Sequence, residues 1–176
     1  MKKISAFLLI LTLTVNCEKD DICSEDTQTT ARLLIEFYNS VNQDNRKNVF
    51  NFRAQGVGND EPLEDYNVVR TNEVILPLKT TETQTQFRLH NNYEIDDNGT
   101  PEDESDDFVT GNEDIITVSY LPTEVYVSRA CGYKTVFENV TITVEDDGDN
   151  WIDFILATTD NEPITNENEA YFNLFH

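Results

Sequence analysis

The chain has 176 residues, of which 34 are acidic and 12 basic, giving a formal charge of −22. A surface so acidic repels nucleic acid and anionic headgroups, which excludes a role built on binding polyanions; it suits cations or a basic partner. The length suits one domain, or one domain behind a short tether.

The first sixteen residues have the organisation of an export signal: Lys2 and Lys3, then an apolar run from Ile4 to Val15 broken only by Ser5, Thr12 and Thr14. The run is shorter than the roughly 20 residues that span a bilayer. Thr14-Val15-Asn16 lacks the small residues an ordinary signal peptidase cuts after. Leu13-Thr14-Val15-Asn16-Cys17 instead resembles the lipobox of bacterial lipoproteins, with Asn16 replacing the usual Gly, Ala or Ser. On this reading residues 1–16 are a signal peptide, Cys17 is lipidated, 17–29 form a tether and 30–176 a β-sandwich domain. A plain secreted protein with a free or disulfide-bonded Cys17 is the alternative. Cys17-Glu18-Lys19-Asp20-Asp21 looks like the Lys-plus-acidic export signal of Bacteroidetes lipoproteins, which directs them to the outer face of the outer membrane. A solvated acidic tether, with the domain on the periplasmic face, is the other possibility. Without its leader the chain keeps 34 acids and 10 bases, a charge of −24.

Assigning Cys17 to lipid leaves Cys23 and Cys131, an even number in a compartment that permits disulfides. Their bridge would close a loop of about 108 residues, worth ~4–5 kcal/mol in the chain-entropy model, and would pin the tether to the domain. Two free thiols are the alternative.

From residue 30 onward the apolar residues recur with period two, the pattern of strands with one buried face. Leu33, Ile35 and Phe37 form the first group, and Phe50, Phe52 and Ala54 the second. Val74, Leu76 and Leu78 follow, with Pro77 placing that strand at a sheet edge or ending it there. Phe87 and Leu89 form the fourth group. Residues 94–107 hold eight acids and no base, which predicts a mobile loop. Ile116, Val118 and Tyr120 are separated by Leu121-Pro122-Thr123 from Val125 and Val127, which lead into Cys131. Val140, Ile142 and Val144 precede Ile152, Phe154 and Leu156, and the intervening 145–150 stretch reads as a hairpin turn around Gly148. Tyr171 to Phe175 form the last strand. Eight or so strands without helical spacing predict an all-β, antiparallel, immunoglobulin-like β-sandwich; a jelly roll or small barrel has the same pattern. The Cys and Trp positions do not follow the antibody arrangement, since Cys23 precedes the first strand and Trp151 follows Cys131.

Calcium takes six to eight oxygen ligands, so Asp146, Asp147, Asp149 and Asn150 on the 145–150 turn are the candidate metal residues. Asp103, Glu104, Asp106 and Asp107 form a second acidic cluster. Glu145, Asp147 and Asp149 alternate as in a calcium loop, but Asn150 stands where its glycine belongs, and a solvated turn is the other reading. His90 and His176, the two histidines, are expected at the surface, which is too few ligands for zinc. No G-x-S-x-G nucleophile elbow occurs, and Cys131 with His90 would be an unusual nucleophilic pair in an oxidising compartment. Paired carboxylates of a glycosidase cannot be chosen among 34. Trp151, Tyr126, Tyr133 and Tyr38 fall on outward parities, either as a sugar- or protein-binding patch or as cross-strand packing.

The most distinctive stretch is Ser128-Arg129-Ala130-Cys131-Gly132-Tyr133-Lys134-Thr135. With Cys17-Glu18-Lys19-Asp20-Asp21-Ile22-Cys23, Arg32-Leu33-Leu34-Ile35, Phe37-Tyr38, Leu76-Pro77-Leu78-Lys79, Asn150-Trp151-Ile152 and Phe175-His176, it resembles an uncharacterised family of small flavobacterial lipoproteins, a domain of unknown function. The resemblance covers nearly the whole mature chain and implies a location without an activity. The expectation is therefore a non-catalytic, lipid-anchored outer-membrane or cell-surface module that binds an envelope protein or glycan, or supports an envelope assembly. It needs no cofactor. A calcium-dependent or carbohydrate-binding module is the second reading, and a small envelope polysaccharide hydrolase the third.

Overall fold

In the computed structural model, which describes residues 22–24, 27, 29–160 and 162–176, the period-two segments become nine strands among the described residues. They are β1 (Leu33–Tyr38), β2 (Val49–Gly56), β3 (Val69–Thr71), β4 (Glu73–Leu76), β5 (Gln84–Asp96), β6 (Phe108–Ser128), β7 (Gly132–Val144), β8 (Phe154–Ala157) and β9 (Phe172–Phe175). Cys17 and the signal segment lie outside the described residues. No helix among the described residues is long and apolar enough to cross a membrane.

The strands form two sheets, ordered β4-β1-β9-β8 and β3-β2-β5-β6-β7, in an all-β sandwich. Every pairing is antiparallel except β1 with β9, which run parallel at the centre of the smaller sheet. Parallel neighbours cannot be joined by a tight turn; here the whole larger sheet lies between them in sequence. Between the sheets, Leu33, Ile35, Phe37, Leu76 and Leu174 meet Phe52, Phe87, Leu89 and Ile116, all essentially without solvent contact. Phe37 and Phe52 bridge the layers edge to face at 5.3 Å. Each such side chain contributes about 1.5–3 kcal/mol on burial.

Several expectations change in three dimensions. Phe50 does not share the inward face of Phe52: Asn51 adopts φ 45° at a bulge, so Val49 is buried and Phe50 sits exposed beside the Arg70 guanidinium. Leu121-Pro122-Thr123 does not break the chain, because β6 runs through it for 21 residues. Pro122 tolerates this because the bonding of β6 toward β5 ends with the Tyr120 amide on the Thr83 carbonyl, so beyond it, among the described residues, one edge of β6 has no ladder to interrupt. The acidic 94–107 stretch is strand as far as Asp96. From 97 to 107 it is a turn in which Asp106 accepts from Thr100 Oγ1 and Asn98 Nδ2, and Asp103 accepts from the Ser105 amide.

The 145–150 segment is not a hairpin turn, since β7 and β8 belong to different sheets. It crosses between the layers, with Gly148 at φ 84°. Parity shifts after the crossing: Ile152 is buried in the connector, Ile155 faces inward, Leu156 is exposed, and Phe154 stacks on Phe175 at 4.6 Å on the outer face. Two regular alternating segments flanking a turn look alike in sequence whether they pair or part.

Candidate functional site

The crossing is held by a residue that its sequence pattern conceals. Asp114 shares the inward parity of Ile116 and Val118 and is fully buried. Its carboxylate accepts the Trp151 amide at 3.3 Å and the Ile152 amide at 2.9 Å. Burial pushes its pKa up, against the hydrogen bonds, which pull it down. Trp151 is thereby set inside the domain, edge to face with Phe37, Phe52 and His176, its indole N–H donating to the Leu89 carbonyl at 3.0 Å. An aspartate on the apolar parity of a strand was the signal that could have revealed this.

The proposed aromatic patch therefore does not assemble from all four residues. Trp151 is core. Tyr38 donates to Glu36 at 2.8 Å and lies 5.8 Å from the Phe175 ring on the outer face of the small sheet. Only Tyr126 and Tyr133 meet, directly opposite each other on β6 and β7, at 5.4 Å, and both are well exposed.

The histidines are not surface groups. His176 packs against Trp151 and Phe37, and burial lowers its pKa. His90 is half-buried beneath Tyr93, with Nδ1 3.3 Å from Glu113; burial again lowers its pKa, opposed by the Glu113 charge. Cys131 is bonded to Cys23, so it is not a nucleophile for His90.

On the 145–150 segment, Asp146 accepts the Gly148 amide at 3.0 Å and Asp147 the Asp149 amide at 2.9 Å, while Asn150 Nδ2 donates to the Glu145 carbonyl. These oxygens serve the turn. Among the described residues no group of three or more His, Cys, Asp or Glu side chains is placed to hold a metal. A groove of about 580 Å³ between the Gly56–Asn59 turn and β5 is lined by a single carboxylate, Glu82, which pairs with Lys79 at 3.1 Å. A smaller one of about 260 Å³ has Asp160 and Glu162, both from the turn after β8. Neither presents carboxylates from opposing walls, as glycoside hydrolysis needs.

The features left are the two ends of the long strand β6. At one end β5 and β6 run on as a two-stranded ribbon: β2 pairs with β5 only as far as His90, and β7 with β6 only from Ile116. A bulge at Asn92 (φ 55°) opposite Gly111 (φ 94°) turns this ribbon, and Arg53 packs over the Tyr93 ring at 4.7 Å below it. Beyond the bulge, Ile95, Phe108 and Val109 are about half exposed. At the other end, Cys131 in the β6–β7 turn is joined to Cys23, with Cα atoms 4.9 Å apart, and Thr30 Oγ1 accepts the Thr135 amide at 2.9 Å. Cys23 and Thr30 thus both lie against this hairpin.

A family model described as a family of unknown function (DUF6452) matches residues 51–176. No curated protein and no solved structure matches the chain. The match takes in β5, β6 and β7 but not Cys23 or Thr30, and on its extent the chain belongs to the DUF6452 family of unknown function.

Proposed function

We propose that this chain is an exported lipoprotein, anchored through Cys17 to the outer membrane, whose sandwich serves as a non-catalytic binding module for a basic envelope protein. The observation that carries this reading is the β5–β6 ribbon. It extends past the sheet with both backbone edges unpaired among the described residues, which is the arrangement that accepts an added strand. It exposes Ile95, Phe108 and Val109 within a stretch, 94–107 and its flanks, that carries eight acids and no base. Apolar contact area bounded by one sign of charge favours a partner with the complementary sign. The lipobox-like Leu13 to Cys17 and the oxidised Cys23–Cys131 pair both support export, the second because disulfides persist outside the reducing cytoplasm.

The test is site-specific photocrosslinking in living cells, with the photoreactive residue at Val109 and, as control, at Leu156. The reading expects a discrete protein adduct from Val109, absent from Leu156, basic in composition and weakened when Asp103, Asp106 and Asp107 become Asn. Glycan adducts alone, equal labelling from both positions, or adducts indifferent to those substitutions would overturn it. Incorporation of labelled palmitate, lost in Cys17→Ser, tests the anchor separately.

A further inference from the structure

The acids are unevenly distributed along the chain, and the β6–β7 hairpin is an exception. Residues 125–137, from Val125 to Phe137, contain no acid and include Arg129 and Lys134, in a chain with 34 acids. This stretch forms the β6–β7 hairpin tip, and it displays Tyr126 (59 % exposed) and Tyr133 (67 %) as a cross-strand pair. Ile22, 80 % exposed, is held at the same tip by the adjacent Cys23–Cys131 bond.

Chain length fixes where this tip stands relative to the lipid. Cys17 and Cys23 are six residues apart, a reach of at most about 22 Å when fully extended. The opposite end of the molecule is much farther away: Phe108 and Tyr126 are 18 residues apart on β6, about 60 Å along a strand. Tyrosine, with an apolar ring and a polar tip, is the side chain that settles at the level of lipid headgroups.

We infer that the β6–β7 hairpin tip is a membrane contact, with Tyr126, Tyr133 and Ile22 resting in the headgroup region of the bilayer that holds the lipid. This inference rests on lipidation of Cys17. The disulfide is then an orienting device as well as a staple, since it joins the tether to the hairpin that displays the two exposed tyrosines. The domain stands upright and the acidic β5–β6 ribbon points away from the membrane. A freely rotating domain on a flexible tether would have no such preferred face.

The experiment uses the full lipidated protein in vesicles of phosphatidylcholine and phosphatidylethanolamine, which carry no net charge to repel the acidic tether. Some of the phosphatidylcholine is brominated high on its acyl chains. Tyr126→Trp and Tyr133→Trp are compared with the unsubstituted protein, whose single Trp151 is partly buried against the core, and with Val109→Trp at the far end. Urea midpoints confirm that each variant is folded. The two tip variants are expected to lose part of their added fluorescence to bromine, because a tryptophan there sits at the membrane interface, while the other two proteins are unaffected. Flotation of the same samples reads the anchor independently. Protein that floats without quenching at either tip position overturns the membrane contact and leaves the anchor standing. Equal quenching of Val109→Trp overturns the orientation, and protein that does not float removes the anchor and this inference with it.

Discussion

Replacing Asp114 by Ala tests whether one buried carboxylate holds the crossing between the sheets. The substitution leaves the Trp151 and Ile152 amides without the acceptor they have at 3.3 and 2.9 Å. Each buried unsatisfied amide costs about 1–3 kcal/mol, so the loss is about 2–6 kcal/mol before the relieved desolvation of the carboxylate is subtracted. The net expectation is therefore the lower half of that range. Trp151, the single tryptophan, lies in the affected segment, so its fluorescence during urea unfolding reports both stability and displacement of the connector. The pH dependence supplies a second check. Burial raises the Asp114 pKa, so between the ordinary aspartate value of about 3.9 and the raised native value the folded chain holds a proton that the unfolded chain has released. Stability relative to Asp114→Asn therefore falls as pH rises through that window. An Asp114→Ala midpoint shifted by less than about 0.5 kcal/mol, the size of an ordinary surface effect, would refute the reasoning. A stability difference from Asp114→Asn that stays flat across the window would refute the linkage.

Gly111→Ala should destabilise by more than the about 1–2 kcal/mol that left-handed backbone costs an L-residue, because its Cβ would also collide with the carbonyl oxygens of Asn91 and Asn92; chemical denaturation measures it. The paired substitution Cys23→Ser with Cys131→Ser should remove about 4–5 kcal/mol, read from urea midpoints, while native protein shows no thiol from these two residues before reduction. His176, whose pKa is lowered by burial, contributes stability that is present above the ordinary histidine value of about 6.5 and lost as pH falls below it. His176→Phe, which keeps a ring against Trp151 and Phe37, should flatten that part of the pH–stability curve; an unchanged curve would remove His176 from the account.

Local pattern was sufficient where one face of a strand meets the core. Leu33, Ile35 and Phe37, or Ile116, Val118 and Tyr120, are buried because a period of two puts them on one side of a pleated strand, and no distant residue alters that. The cysteine count, once Cys17 was set aside, likewise left one intramolecular pairing, and that pair is bonded. Of the candidate site, the Cys131 hairpin was conspicuous in sequence because its composition departs from the rest of the chain. Tyr126 and Tyr133 were legible as exposed aromatics. Trp151 and Tyr38 had the same appearance, and only packing separated them, since the same outward parity faces solvent on one strand and the connector or an outer cluster on another.

What needed the tertiary structure was everything decided by a partner distant in sequence. Asn51 in a left-handed conformation exchanged Phe50 for Val49 in the core, and a bulge of that kind leaves no period to read. The acidic turn after β7 gave no sign that the chain would leave its sheet, because the anchor for that step, Asp114, lies 37 residues away on β6. The sequence by itself determined most of the strands, the inward faces of those without a bulge or crossing, and the cysteine pair. The structure decided strand order, the crossing at Trp151, and the placing of an acidic ribbon and a disulfide-held hairpin, itself without acids from 125 to 137, at opposite ends of β6. Alternation specifies which side of a strand is buried, whereas the neighbour against which it is buried is fixed only when the whole chain closes around one core.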